Sequence, residues 1–208
     1  MKVILVNGSP HKSGCTYTAL SEVEKSLQEQ GIETEIFHIG LTAIQDCIGC
    51  GSCRDHRGKC VYDKDSVNVF IEKAKEADGF VFGSPVYYAH PSGRVLSFMD
   101  RVFFAGKEWF ENKPAAIVVS ARRAGTTASI DAMTKHLTIN NMPVVSSNYW
   151  NMVHGNSPDE VRQDLEGMQI MRVLGQNMAW LIKCIEAGKH AGIEIPQREE
   201  KIMTNFIR

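Results

Sequence analysis

Four of the chain's six cysteines lie in one short stretch, CIGCGSCRDHRGKC, which spans residues 47–60. Cys47, Cys50 and Cys53 follow one another at intervals of three, and Cys60 comes further on. This spacing is typical of a ferredoxin ligand run, whereas zinc sites usually combine two separated C-x-x-C pairs. The residues alone leave three interpretations open: an iron-sulfur cluster, free or packed thiols, and zinc or a disulfide.

A second candidate site is the loop NGSPHKSGCT, residues 7–16. Its glycines have neither the Walker A nor the G-x-G-x-x-G spacing, which argues against a nucleotide triphosphate. The hydroxyls of Ser9, Ser13 and Thr16, together with backbone N–H groups at a helix N-terminus, would hold a terminal phosphate without magnesium. A monophosphate such as that of FMN fits. The alternative is that Ser13 or Thr16 only caps the helix.

The loop GSPVYYAHPSG, residues 83–93, has the character of a ring-binding segment. Pro85 restricts its backbone, and Tyr87 and Tyr88 offer flat faces against which an isoalloxazine would lie. The alternative for each tyrosine is a place in the core or in an interface.

The loop SARRAGTT, residues 120–127, offers charge. Gly125 permits close backbone approach, and Arg122 or Arg123 would compensate the negative charge near N1 and O2 of a reduced flavin. The alternative for the two arginines is a solvated surface pair.

Short apolar runs alternate with helical patterns and define the elements that position these loops. Strands are predicted over Lys2–Val6, Ile32–Ile39, Phe80–Phe82, Ala115–Ser120 and within MPVVSSNYW. Helices are predicted over Thr16–Gln30, over Val95–Phe103 and from Ser157 to about Gly188. Two further helices are predicted, one that begins after a cap at Asp65 or Ser66 and one, after SARRAGTT, that includes Leu137. Strands separated by helices favour a parallel sheet covered on both faces, whose loops meet at its carboxyl edge.

Composition sets the broad class. The chain has 208 residues, 43% hydrophobic and 23% charged, which fits one domain with a sizeable core. A formal net charge of -1 provides no broad basic field for nucleic acid. No apolar run approaches a signal peptide or membrane span, so we expect a cytoplasmic protein without a membrane partner. Structural disulfides are not expected there, and Cys15 and Cys184 are expected to be packing residues.

The motifs GSPHKSGCT, GSPVYYAHPSGRVLSFMDR and ADGFVFGSP resemble the NADPH-dependent FMN reductase family, and CIGCGSCRDHRGKC resembles its iron-sulfur flavoprotein branch. The resemblance covers residues 1–188 and leaves 189–208 as a tail. It implies a flavodoxin-like α/β/α sandwich, with a five-stranded parallel sheet of order 2-1-3-4-5. It also implies bound FMN and a homodimer or dimer of dimers in which one subunit helps to cover the other's flavin.

The resemblance also assigns residues by position. The FMN-binding positions are Ser9, His11, Ser13, Cys15, Thr16 and Tyr17 for the phosphate, Pro85, Val86, Tyr87 and Tyr88 for the ring, and Ser120, Arg122 and Gly125 beside the ring. The cluster positions are Cys47, Cys50, Cys53 and Cys60, which would hold 4Fe-4S. Because the cysteine stretch follows the second strand, we expect it at the same sheet edge as the flavin.

The activity implied is that of an FMN-dependent NAD(P)H oxidoreductase. Electrons would pass from a nicotinamide through FMN to a flavin, quinone, azo or nitro acceptor, and no protein acid or base is required. The alternative is an iron-sulfur flavoprotein that carries single electrons to or from ferredoxin.

The last helix suggests that the protein is an oligomer. Its apolar stripe and the interior glycines Gly167 and Gly175 predict close approach by another subunit. Ile202, Phe206 and Ile207 in the tail are predicted to reach a neighbour, and the alternative is a frayed chain end.

Overall fold

A parallel sheet forms the centre of the computed structural model, which describes residues 1–56, 58–197, 199–200, 202–204 and 206. The strands are β1 (Lys2–Asn7), β2 (Glu33–His38), β3 (Gly79–Tyr87), β4 (His90–Pro91), β5 (Ala115–Ala121) and β6 (Met152–His154). Their order is β2-β1-β3-β5-β6, all parallel, and β4 forms a short antiparallel hairpin with the end of β3. Leaving out this hairpin strand, the order is the predicted 2-1-3-4-5, and the predicted fold class is confirmed.

Helices cover both faces of the sheet. They are α1 (Cys15–Glu29), α2 (Ser52–Asp55), α3 (Val67–Ala74), α4 (Gly93–Gly106), α5 (Thr126–Ile139), α6 (Pro158–Gln163) and α7 (Leu165–His190), with a 3-10 turn at Lys107–Trp109. Alternate residues of β1 point to opposite layers. Val3 and Leu5 join the core with α1 and α7, whereas Ile4 and Val6 join the core with α3, α4 and α5. None of the described helices combines the length and apolar character needed to span a bilayer.

The third strand is longer than predicted. The sequence GSP suggested an end after Phe82, but Gly83 pairs with both Asn7 and Val118, and Pro85 pairs with Ser120. The ladders of the neighbouring strands hold this segment extended, although its composition argues against a strand.

The fifth predicted strand was placed too early in the chain. Within MPVVSSNYW only Val144 forms a bridge, with Ala115, and the strand itself is Met152–His154. Ser147 instead donates its hydroxyl to the carbonyl of Ile170 at 2.7 Å, so the polar half of this segment leaves the sheet and lies against α7.

The long last helix is interrupted at Asp164, so the prediction of one continuous helix from Ser157 was wrong. The serine half of the predicted capping box is confirmed, because Ser157 Oγ accepts a hydrogen bond from the N–H of Glu160 at 3.2 Å. The Glu160 carboxylate accepts from the N–H of Asn156 at 2.7 Å. Asp164 then starts α7, accepting from the N–H of Gly167 at 2.9 Å and from the N–H of His154 at 2.7 Å. Because Asp164 caps a new helix and binds β6, its backbone is not helical, and the predicted long helix is divided into α6 and α7.

Most of the stripe on α7 is covered by the chain's own fold, although Leu181 and Ile185 at its end are half-buried. Met168, Met171, Leu174 and Met178 are buried with α1 and the sheet. A Cβ on Gly175 would lie 2.7 Å from Ser26 Cβ, so α1 supplies the close approach that was attributed to another subunit. Oligomerisation therefore stays a prediction without this support.

Two smaller expectations concern the end of the chain. Cys184 is exposed and is not the packing residue that was predicted. In the tail, Ile202 and Phe206 are exposed, and Ile207 lies outside the described residues.

We predict that Gly175→Ala lowers the free energy of unfolding by about 1–3 kcal/mol, because the added methyl must separate α1 from α7. Gly188→Ala, in the same helix, is the control. Its Cβ would make only ordinary contacts with Ile193 at 3.7 Å and beyond. That variant should gain about 0.5–1 kcal/mol from helix propensity. Urea unfolding measures both, and equal stabilisation by the two substitutions would contradict the close packing.

Candidate functional site

Four loops meet at the carboxyl ends of β1, β3, β5 and β6 and enclose a pocket of about 410 Å³, which we call the loop pocket. Its lining residues are Ser9, His11, Cys15, Thr16, Pro85, Val86, Tyr87, Ser120, Ala121, Arg122, Gly155 and Asn156. A pocket of this size at this edge is where parallel α/β sheets bind their ligands.

Asn7, the last residue of β1, shapes the first loop. Its side chain is fully buried, and its Nδ2 group lies 3.3 Å from the carbonyl oxygens of both His11 and Lys12, to which it donates. Its Oδ1 accepts from the N–H of Ser9 at 3.1 Å, and Ser9 Oγ in turn accepts from the N–H of His11 at 3.1 Å. The loop therefore curls around one buried amide before α1 begins.

The N-terminus of α1 faces this loop without a side-chain cap. Its N-cap residue is Gly14, and no side chain accepts from the first turn. The Thr16 hydroxyl bonds to the Ser120 hydroxyl at 2.8 Å, and Ser13 is exposed, so neither caps the helix. The first N–H groups of a helix lack intrahelical partners and carry partial positive charge, which suits them to an anion.

The hairpin of β3 and β4 forms one wall. Tyr87 lines the pocket, and Tyr88 stands fully exposed at the tip with a positive φ of 62°. Gly125 supports the hairpin from behind, because it has φ 88° and a Cβ there would lie 2.8 Å from Val86 Cγ1. The close approach that Gly125 permits is thus to the hairpin.

Positive and neutral polar groups dominate the loop pocket. Among its described lining residues Arg122 carries a permanent positive charge, and none is a carboxylate. Burial raises the pKa of the Cys15 thiol, whose Sγ lies 3.7 Å from the carbonyl oxygen of Gly155. Cys15 is therefore a neutral, packed thiol at neutral pH.

Most of the predicted FMN residues meet in this pocket. Nine of them line it: Ser9, His11, Cys15, Thr16, Pro85, Val86, Tyr87, Ser120 and Arg122. Among the described lining residues we do not find Ser13, Tyr17, Tyr88 or Gly125. The sequence reasoning missed Asn7, Ala121, Gly155 and Asn156. Gly155 and Asn156 follow β6 and were missed because that strand was placed too early, whereas the turn sequence NGSP was the available signal for Asn7.

The four clustered cysteines line a separate pocket of about 460 Å³, which we call the cysteine pocket. All are free thiols, so the disulfide interpretation is not realised. Within the described part of the chain, no three His, Cys, Asp or Glu side chains are placed to hold a single metal ion. Zinc needs its ligands around one point, whereas the cysteines of a 4Fe-4S cluster each bind a different iron. Four thiols around one roomy pocket therefore fit a cluster better than zinc.

The cysteine pocket does not lie at the sheet edge that forms the loop pocket. Arg94, in the first turn of α4, donates to the carbonyls of Gly40, Leu41 and Thr42, and Ala105, at its far end, accepts from the N–H of Gly58 at 2.7 Å. The segment thus follows α4 for roughly 16 Å, at about 1.5 Å per residue. Since α4 runs back towards the amino ends of the strands, the expectation that both sites share one edge is wrong.

Arg101, in the middle of α4, lines the cysteine pocket. Burial by itself lowers the pKa of Arg101, but hydrogen bonds to Asp65 and Cys60 outweigh burial and raise it. The guanidinium therefore stays charged. Burial also raises the pKa of the Cys53 thiol, and the neighbouring cysteines add to this shift.

The doubly covered parallel sheet, with an uncapped helix N-terminus after the loop that follows its first strand, defines a flavodoxin-like α/β protein. Residues 1–157 match the NADPH-dependent FMN reductase family. An iron-sulfur flavoprotein of Methanocaldococcus jannaschii is 33% identical over 194 residues, covering 89% of this chain and 100% of that protein. An iron-sulfur flavoprotein of Methanosarcina thermophila is 26% identical over 193 residues, covering 91% and 99%.

Among solved structures, an NAD(P)H:quinone oxidoreductase from Methanothermobacter marburgensis superimposes with a TM-score of 0.65 at 16% identity. The match covers 86% of this chain and 96% of that chain, and it supports the fold. The chain belongs to the NADPH-dependent FMN reductase family, in its iron-sulfur flavoprotein branch, and is an oxidoreductase.

We predict that Asn7→Ala loosens the first loop. The change leaves the buried N–H of Ser9 without its partner, at a cost of about 1–3 kcal/mol. Hydrogen exchange of the amides in residues 8–14 should become about 5- to 150-fold faster, as measured by mass spectrometry. Ser13→Ala, an exposed change in the same loop, should leave the rates unaltered. Equal rates in Asn7→Ala and the unmodified protein would contradict the role of this amide.

Proposed function

We propose that the protein is an FMN-dependent oxidoreductase that binds FMN in the loop pocket. The observation that carries this proposal is the uncapped N-terminus of α1, which opens into a loop held by Asn7 beside the hairpin wall. The 410 Å³ pocket is lined by hydroxyls from the first loop and the start of α1 and by Pro85 to Tyr87 of the hairpin. This combination suits a molecule that carries both a phosphate and a flat ring.

The phosphate would be held chiefly by uncharged groups. Ser9 and Thr16 supply hydroxyls, the first turn of α1 supplies N–H groups, and His11 lies at the same end of the pocket. Ser13 and Tyr17, which belong to the same loop and helix, complete the proposed set of phosphate residues. Because neutral donors suffice at a helix N-terminus, no magnesium is needed.

The ring would lie between the hairpin and the loop after β5. Pro85, Val86 and Tyr87 offer one wall, and Ser120 with Arg122 offer the other. Gly125 supports the hairpin, and the exposed Tyr88 offers a flat face to a second planar molecule. These residues orient two flat molecules against each other.

FMN, when bound, would supply the hydride and electron chemistry. Arg122 would stabilise negative charge beside the ring, and the described lining residues include no carboxylate to oppose it. We infer that a reduced nicotinamide is the electron donor and that a flavin, quinone, azo or nitro compound is the acceptor. Each has a planar or conjugated part suited to the exposed hairpin.

A second candidate function is an electron carrier with a 4Fe-4S cluster in the cysteine pocket, exchanging single electrons with ferredoxin. The specific observation in its favour is that Cys47, Cys50, Cys53 and Cys60 line one pocket. The exposed side chains of Ile48, Val61 and Phe104 beside it support contact with another protein or subunit. A homodimer or dimer of dimers is part of this proposal.

We predict that FMN copurifies with the protein and that Ser9→Ala combined with Thr16→Ala weakens its binding. Each change removes a hydroxyl donor to a charged phosphate, worth about 1.5–3 kcal/mol, so the Kd should rise at least about tenfold. Fluorescence titration of the flavin-free protein measures this. Thr138→Ala, an exposed hydroxyl on α5, is the control. Unaltered FMN affinity in the double variant would show that the phosphate lies elsewhere.

We predict that protein purified without oxygen has a broad iron-sulfur absorption besides its flavin bands, and that this absorption bleaches on reduction. Cys50→Ala should lose the bound iron and keep FMN, because the two pockets use different loops. The control Cys184→Ala removes an exposed thiol on α7 and should keep both. Flavin bands alone in the unmodified protein, or full iron in Cys50→Ala, would contradict the electron-carrier proposal and leave the FMN-dependent reductase without a cluster.

A further inference from the structure

Arg101 is the only charged residue among the buried residues that the structure describes, and it is 1% exposed. Its five N–H donors all have partners. Nη1 donates to the carbonyl of Gln45 at 3.0 Å and Nη2 to the carbonyl of Tyr62 at 2.8 Å. Both terminal nitrogens also bind the Asp65 carboxylate. The remaining donor, Nε, lies 3.2 Å from Sγ of Cys60.

Asp65 fixes this guanidinium in one orientation. Its carboxylate is bidentate with Arg101 and is itself nearly buried, and Oδ1 also accepts from the N–H of Val67 at 3.1 Å, at the start of α3. A buried charge that is fully paired is held rigidly, because any rotation would leave a desolvated donor unsatisfied. The direction of the Nε–H bond is thereby set by α3 and α4 together.

The backbone that carries the sulfur acceptor is also held in place. The backbone of Cys60 is bound on both sides by Asn68, which accepts from the Cys60 N–H at 2.8 Å and donates to the Cys60 carbonyl at 2.9 Å. A neutral thiol is a weak acceptor, whereas a metal-bound thiolate is electron-rich. A rigid, charged donor that points at this one sulfur suits a thiolate whose electron density rises when a bound cluster is reduced.

We propose that Arg101 is a positioning residue that donates a hydrogen bond to the Cys60 sulfur and thereby raises the reduction potential of a 4Fe-4S cluster in the cysteine pocket. This inference rests on the cluster assignment made above. A hydrogen bond to a ligand sulfur withdraws electron density and stabilises the reduced form, which carries one more electron. The loop that bears Cys60 thus affects the reduction potential of the cluster as well as enclosing the pocket.

Arg101→Lys isolates the hydrogen bond from the charge. Lysine retains a positive charge opposite Asp65 but has no counterpart of the Nε–H group. In an anaerobic titration with dithionite and mediators, the cluster midpoint should fall by about 59 mV or more. That shift is a tenfold lower ratio of reduced to oxidised cluster at a fixed potential. The FMN midpoint should not move.

Arg94→Lys is the matched control. Arg94 is also on α4 and holds the same segment through three carbonyls, but it makes no contact with a cysteine sulfur. Loosening the segment in this way should leave the cluster midpoint in place. Equal midpoints in Arg101→Lys and the unmodified protein, or equal falls in both variants, would overturn the proposal.

A measurement on the unmodified protein guards against misfolding of Arg101→Lys. With ¹⁵N-labelled arginine, pulsed EPR of the reduced cluster should detect a nitrogen coupling transmitted through the hydrogen bond to sulfur. Absence of that coupling would overturn the proposal even if the variant does not fold. Unmodified protein that takes up no iron would overturn the cluster assignment as well, whereas loss of FMN alone would concern only the loop pocket.

Discussion

A parallel sheet must be covered on both faces, and this constraint determines where both pockets lie. In β1 the side chains of Val3 and Leu5 enter one core and those of Ile4 and Val6 the other. Each crossover through a helix returns the chain to the same end of the sheet, so every parallel strand finishes at one edge. Segments as far apart in sequence as Ser9 and Gly155 are brought together there.

The two pockets use different physical means to hold their shape. The loop pocket depends on backbone and neutral side chains, with the buried Asn7 amide holding its first loop and an uncapped helix end beside it. The cysteine pocket depends on a buried ion pair between Arg101 and Asp65. An uncompensated buried charge is costly, so such a pair persists only when every donor is satisfied. The satisfied network fixes the side of this pocket that carries Cys60.

Helix α4 connects the two pockets. It begins at Gly93, directly after the hairpin that walls the loop pocket, and ends beside the cysteine pocket. Arg94 and Arg101, about two turns apart, hold the cysteine-bearing segment against one side of this helix. A displacement of α4 would therefore move residues that line or support both pockets.

The sequence by itself determined the doubly covered parallel sheet and most lining residues of the loop pocket, and its resemblance to a known family supplied the strand order. Apolar runs such as Lys2–Val6 and turn sequences such as NGSP can be recognised locally. Because parallel strands end at one edge of the sheet, the loops that follow them are expected to form a site there. The tertiary structure alone decided the division of the last helix at Asp164, the continuation of β3 through Gly83, and the position of the cysteines along α4. These features depend on bonds between distant residues, including Asp164 with His154 and Arg101 with Asp65. Local sequence patterns do not reveal such partners, because these bonds form and contribute their free energy only when folding brings the distant residues together.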